Sequence, residues 1–304
     1  MDSTQSNVAN NFSHLRSKCA IFLSFLAYQT ENDIEVLNRT NELWDGVSND
    51  WNNIWTEIKP CFNHEYKFKI FSCSHYGIGN TQFVYTLTRD NDLIVAFRGT
   101  KSASDVLTDV RVDKDKCTDI CYTPFYLNEK IHYKSYDPMV HTGFHQMYGL
   151  MKYALFEVLQ LYLNNNINDN NDYEKQIIFT GHSLGGAVSI LATSCMFYGC
   201  DKIHNATESS SKKVKIWNVT FGSPKVGNYD FSRVYNELVS RDYIWSCHYF
   251  HNSDPVPCLP MLSGFYSCNN AVQINQTNES RLYSIQYHLI ECYLKHLDKH
   301  VNKV

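Results

Sequence analysis

Residues 176–196 read QIIFTGHSLGGAVSILATSCM, and the fold is read outward from this stretch. Gln176–Thr180 is a short run rich in β-branched and aromatic residues, the pattern of a buried strand. Gly181-His182-Ser183-Leu184-Gly185 follows, and Ala187–Met196 continues in helix-compatible apolar residues. Strand, tight turn and helix are predicted in immediate succession. A serine on such a turn is held in a strained backbone conformation. Glycines two residues to either side keep side chains out of a crowded junction. The result is an exposed hydroxyl at the carboxyl edge of a sheet, above the positive N-terminus of the next helix. The pentapeptide alone recurs by chance; its flanking strand and helix are what make it informative.

The same alternation extends in both directions. Lys67–Ser72, Thr81–Thr88 and Leu93–Phe97 read as strands, the last two joined by Arg89–Asp92 in a hairpin. Leu93–Phe97 is continuously apolar, as a central strand would be, and runs into Arg98-Gly99-Thr100. Ser104 or Asp105 can cap a short helix carrying Val106, Leu107 and Val110. Val140–Tyr148 opens a helix that runs to Leu163 with an apolar stripe read as core. Val214–Phe221 and Tyr243–Phe250 are further strands around a helix at Tyr229–Arg241, and Ser284–His300 is a final helix. Near the start, Ser17–Leu43 reads as helix with a break near Asn38–Asn41. Trp44–Cys61, with three of the five tryptophans, reads as a packed, irregular cover. Strands alternating with helices predict an α/β fold with a mostly parallel central sheet covered on both faces. No repeat or linker divides it. Residues 1–16 are taken as a flexible N-terminal segment and 17–304 as one domain.

At 304 residues and 43% hydrophobic, the chain can bury a substantial core, and a net charge of -4 gives no basis for nucleic-acid binding. No apolar run reaches the length of a bilayer span. Cys19–Tyr28 resembles a late signal-peptide core, but its helical continuation through Ile34, Val36 and Leu37 and the lack of a clear cleavage site favour a helix of the folded domain. An intracellular setting is accordingly favoured over secretion. The 11 cysteines include no Cys-x-x-Cys pair, which argues against structural zinc. Cys117/Cys121 and Cys258/Cys268 are the disulfides the spacing offers; free, partly buried thiols are the preferred reading. Asn-x-Ser/Thr sequons stand at Asn11, Asn38, Asn205, Asn218, Asn275 and Asn278, with Asn218 in a strand expected to be buried.

A serine hydroxyl needs a neighbouring base to act as a nucleophile, and the base needs an acceptor to orient it. After Ser183 the chain offers Asp254, just past a strand end on a turn stiffened by Pro255 and Pro257, and then His288 in a loop-to-helix position. Both fall where a doubly wound sheet brings its loops to the carboxyl edge. Asp230, Asp242 and Asp298 lie in helices or at helix ends and read as caps or solvated groups. His296 and His300 share a face of the last helix and read as solvated. His248 and His251 precede Asp254, and His182 reads as packing. For a developing oxyanion, the backbone N–H of Leu184 is one donor and Thr100, by its N–H or hydroxyl, is the other. Arg98-Gly99-Thr100 reads equally well as a strand exit with a buried arginine pair.

Taken together, Leu23–Tyr28, Ile94–Thr100, Asp105–Asp109, Val140–Phe144, Thr180–Ala187, Thr220–Gly227, His251–Pro260 and His288–Leu294 resemble the fungal-type, or class 3, triacylglycerol lipases, in family order. The resemblance implies an α/β-hydrolase fold and hydrolysis of acyl esters. It implies the nucleophile at Ser183, the acid at Asp254, the base at His288 and an oxyanion residue at Thr100. His288–Leu294, with Glu291 and Tyr293, looks most like the plant phospholipase A1-like branch. Val106 stands where many members carry a tryptophan, in a helix that serves them as a lid. The stretch from that helix to Val140 is longer than usual and is expected to rim the acyl pocket.

The leading expectation is a serine esterase acting on a lipid ester, needing no metal or organic cofactor, with peripheral contact to lipid surfaces. The alternatives are an esterase of soluble esters and a lipase-like interaction module without catalysis.

Overall fold

A computed structural model describes residues 14–62, 67–76, 79–100, 113–121, 137–167, 175–199, 214–261, 264–268, 270–274 and 283–301. The helix expected around Ser104–Val110, the 122–136 portion of the stretch expected to rim the acyl pocket and the sequons at Asn11, Asn205, Asn275 and Asn278 lie outside these residues.

Helix α1 (His14–Leu26) is apolar on every side from Cys19 onward and is buried accordingly. The predicted helix is broken at Ala27–Thr30, which was not expected, and ends at Asn41, within the expected Asn38–Asn41. Thr30 and Asp33 form a reciprocal capping box that starts α2 (Glu31–Thr40), and Asn41, at φ 58°, ends it. The cover at Trp44–Cys61 is not irregular throughout. It contains α3 (Asn49–Ile58), whose buried Trp51, Ile54, Trp55 and Ile58 follow the helical period.

Strands β1 (Lys69–His75), β2 (Gly79–Leu87) and β3 (Leu93–Phe97) form an antiparallel meander. A small ribbon follows, from β4 (Lys114–Lys116), helix α4 (Thr118–Cys121) and β5 (Met139–His141). The long helix α5 (Thr142–Ile167) therefore starts after a short strand that the sequence did not betray, because three residues are too few to show a period. Then come β6 (Lys175–His182), α6 (Leu184–Gly199), β7 (Val214–Phe221), α7 (Tyr229–Ser240), β8 (Ile244–Phe250), β9 (Ala271–Gln273) and α8 (Ile290–Val301). Among the described residues, the main sheet has seven strands in the order β1-β2-β3-β6-β7-β8-β9 and is parallel from β3 to β9. Phe97 pairs with Gly181 and His182 with Phe221, so β3, β6 and β7 end side by side.

Alternate strand residues feed two cores. Val95, Phe97, Phe179 and Ile216 pack under α5, α6 and α7. Ile94, Ala96, Ile178 and Val219 pack under α1, α3 and α8. The expected α/β fold with a mostly parallel sheet and helices on both faces is the one observed. No described helix is long and apolar enough to cross a membrane.

One polar knot ties the sheet to its cover. Asn218, fully buried on β7, donates to Ser189 Oγ at 2.7 Å and Thr193 Oγ1 at 2.9 Å on α6, and accepts from the Tyr235 hydroxyl of α7 at 3.0 Å. Replacing it with an apolar residue removes one hydrogen-bond partner from each of three hydroxyl groups at once. Asn218→Leu is expected to cost about 2–4 kcal/mol in urea unfolding, against little loss for a surface asparagine.

His248 on β8 is 9% exposed and its Nδ1 meets Thr220 Oγ1 at 2.8 Å. Burial pushes its pKa down to about 4. The unfolded chain titrates near 6.5, so between pH 4 and 6.5 it binds more protons than the folded one. This contribution is fully present above pH 6.5 and is lost as pH falls to 4, about 3 kcal/mol in all. Chemical denaturation across that range should show the loss, and His248→Gln should flatten it.

Candidate active site

Ser183 stands between β6 and α6 with a left-handed backbone, φ 58°. Its N–H donates to the Phe221 carbonyl at 2.9 Å, and its own carbonyl accepts from Gly186 N–H at 2.9 Å. The turn needs Gly185. A Cβ there would run into the Phe97 carbonyl and the backbone of Arg98, so only glycine lets α6 begin against the end of β3.

His288 closes a 3₁₀ turn at Ile285–His288, ahead of α8 rather than within it. Its Nε2 lies 2.7 Å from Ser183 Oγ and its Nδ1 lies 2.8 Å from Asp254 Oδ2. A carboxylate can only accept, so the proton sits on Nδ1 and the Nε2 lone pair faces the serine hydroxyl. Ser183, His288 and Asp254 are each 1% exposed. The structure thus brings these three sequence-selected side chains into one hydrogen-bonded line, joining the loops after β6 and β8 to the start of α8.

Asp254 is held from further directions. Val256 N–H donates to Oδ1 at 2.8 Å, and the Tyr293 hydroxyl donates to Oδ2 at 2.6 Å. Burial first, and then the Asp254 charge, push the Tyr293 phenol well above its ordinary pKa, which keeps it a donor. Gly222, at φ 60°, makes room for this contact; a Cβ there would sit 2.8 Å from the Tyr293 hydroxyl and 3.0 Å from Asp254 Oδ2.

His182 does more than the packing expected of it. Its Nε2–H donates to the His288 carbonyl at 2.7 Å, and its Nδ1 accepts from the Tyr28 hydroxyl at 2.9 Å. Burial, and then the neighbouring His288, push its pKa well below the ordinary value, so it acts as a neutral strut. Tyr28 and Tyr293 were given no role by the sequence reading. Each sits within a motif that carried the family resemblance, and only that proximity could have flagged them.

Leu184, half-buried, is the first residue of α6, where backbone N–H groups have no helical acceptor. Thr100, also half-buried, lies just past the end of β3 and follows Gly99, whose backbone packs against Gly185 of the same turn. Two of the rival groups are engaged elsewhere. His248 pairs with Thr220, and Asp230 accepts from Asp137 N–H at 3.1 Å. Asp242 follows α7 at φ 59°, while Asp298 and His300 lie on α8. His296 is not on a solvated face; it is half-buried, its ring 4.8 Å from that of His251.

His251, Cys292 and His296 bring possible ligand atoms within 4.8 Å of one another. They fit a metal poorly. His251 Nδ1 accepts from Ser253 N–H at 3.1 Å, which places its proton on Nε2 and leaves no lone pair there.

The sequence model of the family "Lipase (class 3)" matches residues 94–264. Lipase ZK262.3 of Caenorhabditis elegans is 28% identical over 213 residues, which cover 67% of this chain and 50% of that protein. Phospholipase A1-IIalpha of Arabidopsis thaliana is 32% identical over 128 residues, covering 40% of this chain and 29% of that one. The chain thus spans half or less of the length of these curated relatives. Among solved structures, a Rhizomucor miehei lipase propeptide complex superposes with a TM-score of 0.57 at 19% identity, over 91% of this chain and 69% of the other. Lip2 lipase from Yarrowia lipolytica gives 0.56 at 18%, over 90% and 80%. These likenesses share the fold. With more than half of its length matched by the family's sequence model, the chain belongs to the class 3 lipase family and carries its α/β-hydrolase fold.

Proposed function

We propose that this chain is a serine hydrolase that cleaves carboxylic esters of lipids, of the acylglycerol lipase or phospholipase A1-like kind. The observation that carries the reading is the unbroken series Tyr293–Asp254–His288–Ser183, with hydrogen bonds of 2.6, 2.8 and 2.7 Å.

In this mechanism His288 Nε2 takes the Ser183 proton as Oγ attacks the ester carbonyl. Asp254 holds the Nδ1–H tautomer and stabilises the imidazolium. The N–H of Leu184 and the N–H or hydroxyl of Thr100 meet the oxyanion. His288 returns the proton to the leaving alcohol and leaves an acyl-Ser183. Water, deprotonated by His288, then releases the fatty acid and restores the serine. The protein's own groups supply every proton transfer. Support for a lipid substrate comes from the family and from apolar side chains exposed on the same loops. Leu289, directly after His288, is 49% exposed, and Met261, beyond the Asp254 turn, is 68% exposed. Peripheral contact with a lipid surface follows from this reading.

The experiment is fluorophosphonate labelling beside a panel of glycerolipids and short soluble esters. Wild-type protein should be labelled on Ser183, and Ser183→Ala should lose the label and on the order of 10⁴–10⁶ in kcat. A folded wild type that neither labels nor hydrolyses any ester overturns the reading, and turnover of soluble esters alone moves it to the soluble-ester class. Tyr293→Phe removes one charge-assisted hydrogen bond from Asp254. It should lower kcat by roughly tenfold with KM little changed. Asp254→Asn should lower kcat on the order of 10⁴-fold, by allowing the wrong imidazole tautomer.

A further inference from the structure

Two thiols that the proposed reaction does not use face each other in the core. Cys117 Sγ and Cys195 Sγ are 3.7 Å apart. Cys117, fully buried, lies between β4 and α4, and Cys195, 1% exposed, lies on α6. Spacing in the sequence offers Cys121 as the partner of Cys117; the fold offers a residue 78 positions away instead.

We propose that Cys117 and Cys195 are a disulfide site, closed when the chain folds in an oxidising setting, which staples the β4–α4 segment onto the helix that begins next to Ser183. Both backbones are already fixed. Cys117 N–H donates to the Pro138 carbonyl at 2.8 Å, its carbonyl accepts from Ile120 N–H at 3.2 Å, and Cys195 sits inside α6. A bond would draw the sulfurs from 3.7 Å to roughly 2.05 Å.

The step balances with a small-molecule disulfide as oxidant. One cysteine thiolate attacks glutathione disulfide and releases one glutathione thiol. The second cysteine thiolate then displaces the other, so two cysteine protons and one external S–S bond are exchanged for the Cys117–Cys195 bond and two glutathione thiols. Burial, and then contact with Cys117, push the Cys195 thiol well above its ordinary pKa. Cys195 is therefore a poor attacking thiol in the folded state, both sulfurs are shut away from solvent, and closure accompanies folding. Once formed, the bond is shielded from reductants by the same burial. A span of 78 residues makes the constraint on the unfolded chain large.

The test is refolding of the reduced chain in a buffer of reduced and oxidised glutathione, followed by acid quench, alkylation and peptide mapping without reduction. Wild type should yield the 117–195 cross-linked peptide as the main product. Its Tm should exceed that of the phosphine-reduced protein by roughly 5 °C or more. Cys117→Ala and Cys195→Ala should lose both the cross-link and the redox dependence of Tm. Should either variant fail to fold, the wild-type peptide map decides alone. Finding both thiols alkylated after oxidative refolding, Cys117 joined mainly to another cysteine, or a Tm gain that survives in Cys117→Ala would overturn the proposal. None of these readouts depends on ester hydrolysis.

Discussion

The left-handed backbone of Ser183 is the constraint around which the rest is built. A non-glycine residue in that region costs about 1–2 kcal/mol and persists only where its surroundings leave it no alternative. Here the surroundings are specific. The Phe221 carbonyl takes the serine N–H, β3 ends against Gly185, and α6 starts at once. Each depends on the parallel register that brings β3, β6 and β7 to one edge. A slip of one residue between β6 and either neighbour would reverse which side chains face each core.

Around that turn, charge is sorted by burial. Two histidines sit with ring centroids 4.8 Å apart, one placed to carry a proton and one kept neutral. His182 is surrounded by neutral donors and acceptors, so its strut is indifferent to the charge beside it only because it carries none itself. Of the two, it is His288 that has a carboxylate at Nδ1. Protonation of both would set like charges together in a dry site, and the burial of His182 prevents it.

Much of this was legible in the chain because the decisive signals are local. The strand–turn–helix at 176–196, the apolar run at Leu93–Phe97 and the turn at His251–Pro260 each declare themselves within about twenty residues or fewer. Ser183, Asp254 and His288 were singled out from motif position and chain order. What failed did so for physical reasons. Thr30 and Asp33 cap a helix inside a stretch whose apolar period hides the break. Tryptophan density at Trp44–Cys61 masked the ordinary helical period of α3. The contacts of Tyr28 with His182, His182 with His288, and Tyr293 with Asp254 span 154, 106 and 39 residues. No local pattern encodes such pairings; they exist only once the sheet has ordered its edge. The Cys117–Cys195 approach is of the same kind, since nearness in sequence pointed to Cys121.

Asn218 heads an Asn-Val-Thr sequon while its amide is wholly consumed by the knot between β7, α6 and α7. In any compartment that attaches glycans to asparagine, the transferase and the fold would compete for the same nitrogen. A sugar there could not be accommodated beside Ser189 and Thr193, so a chain modified before β7 is seated would be diverted from the native state. The yield of active protein in such a compartment would then be set by a kinetic race, in which early docking of β7 against α6 acts as the protecting group.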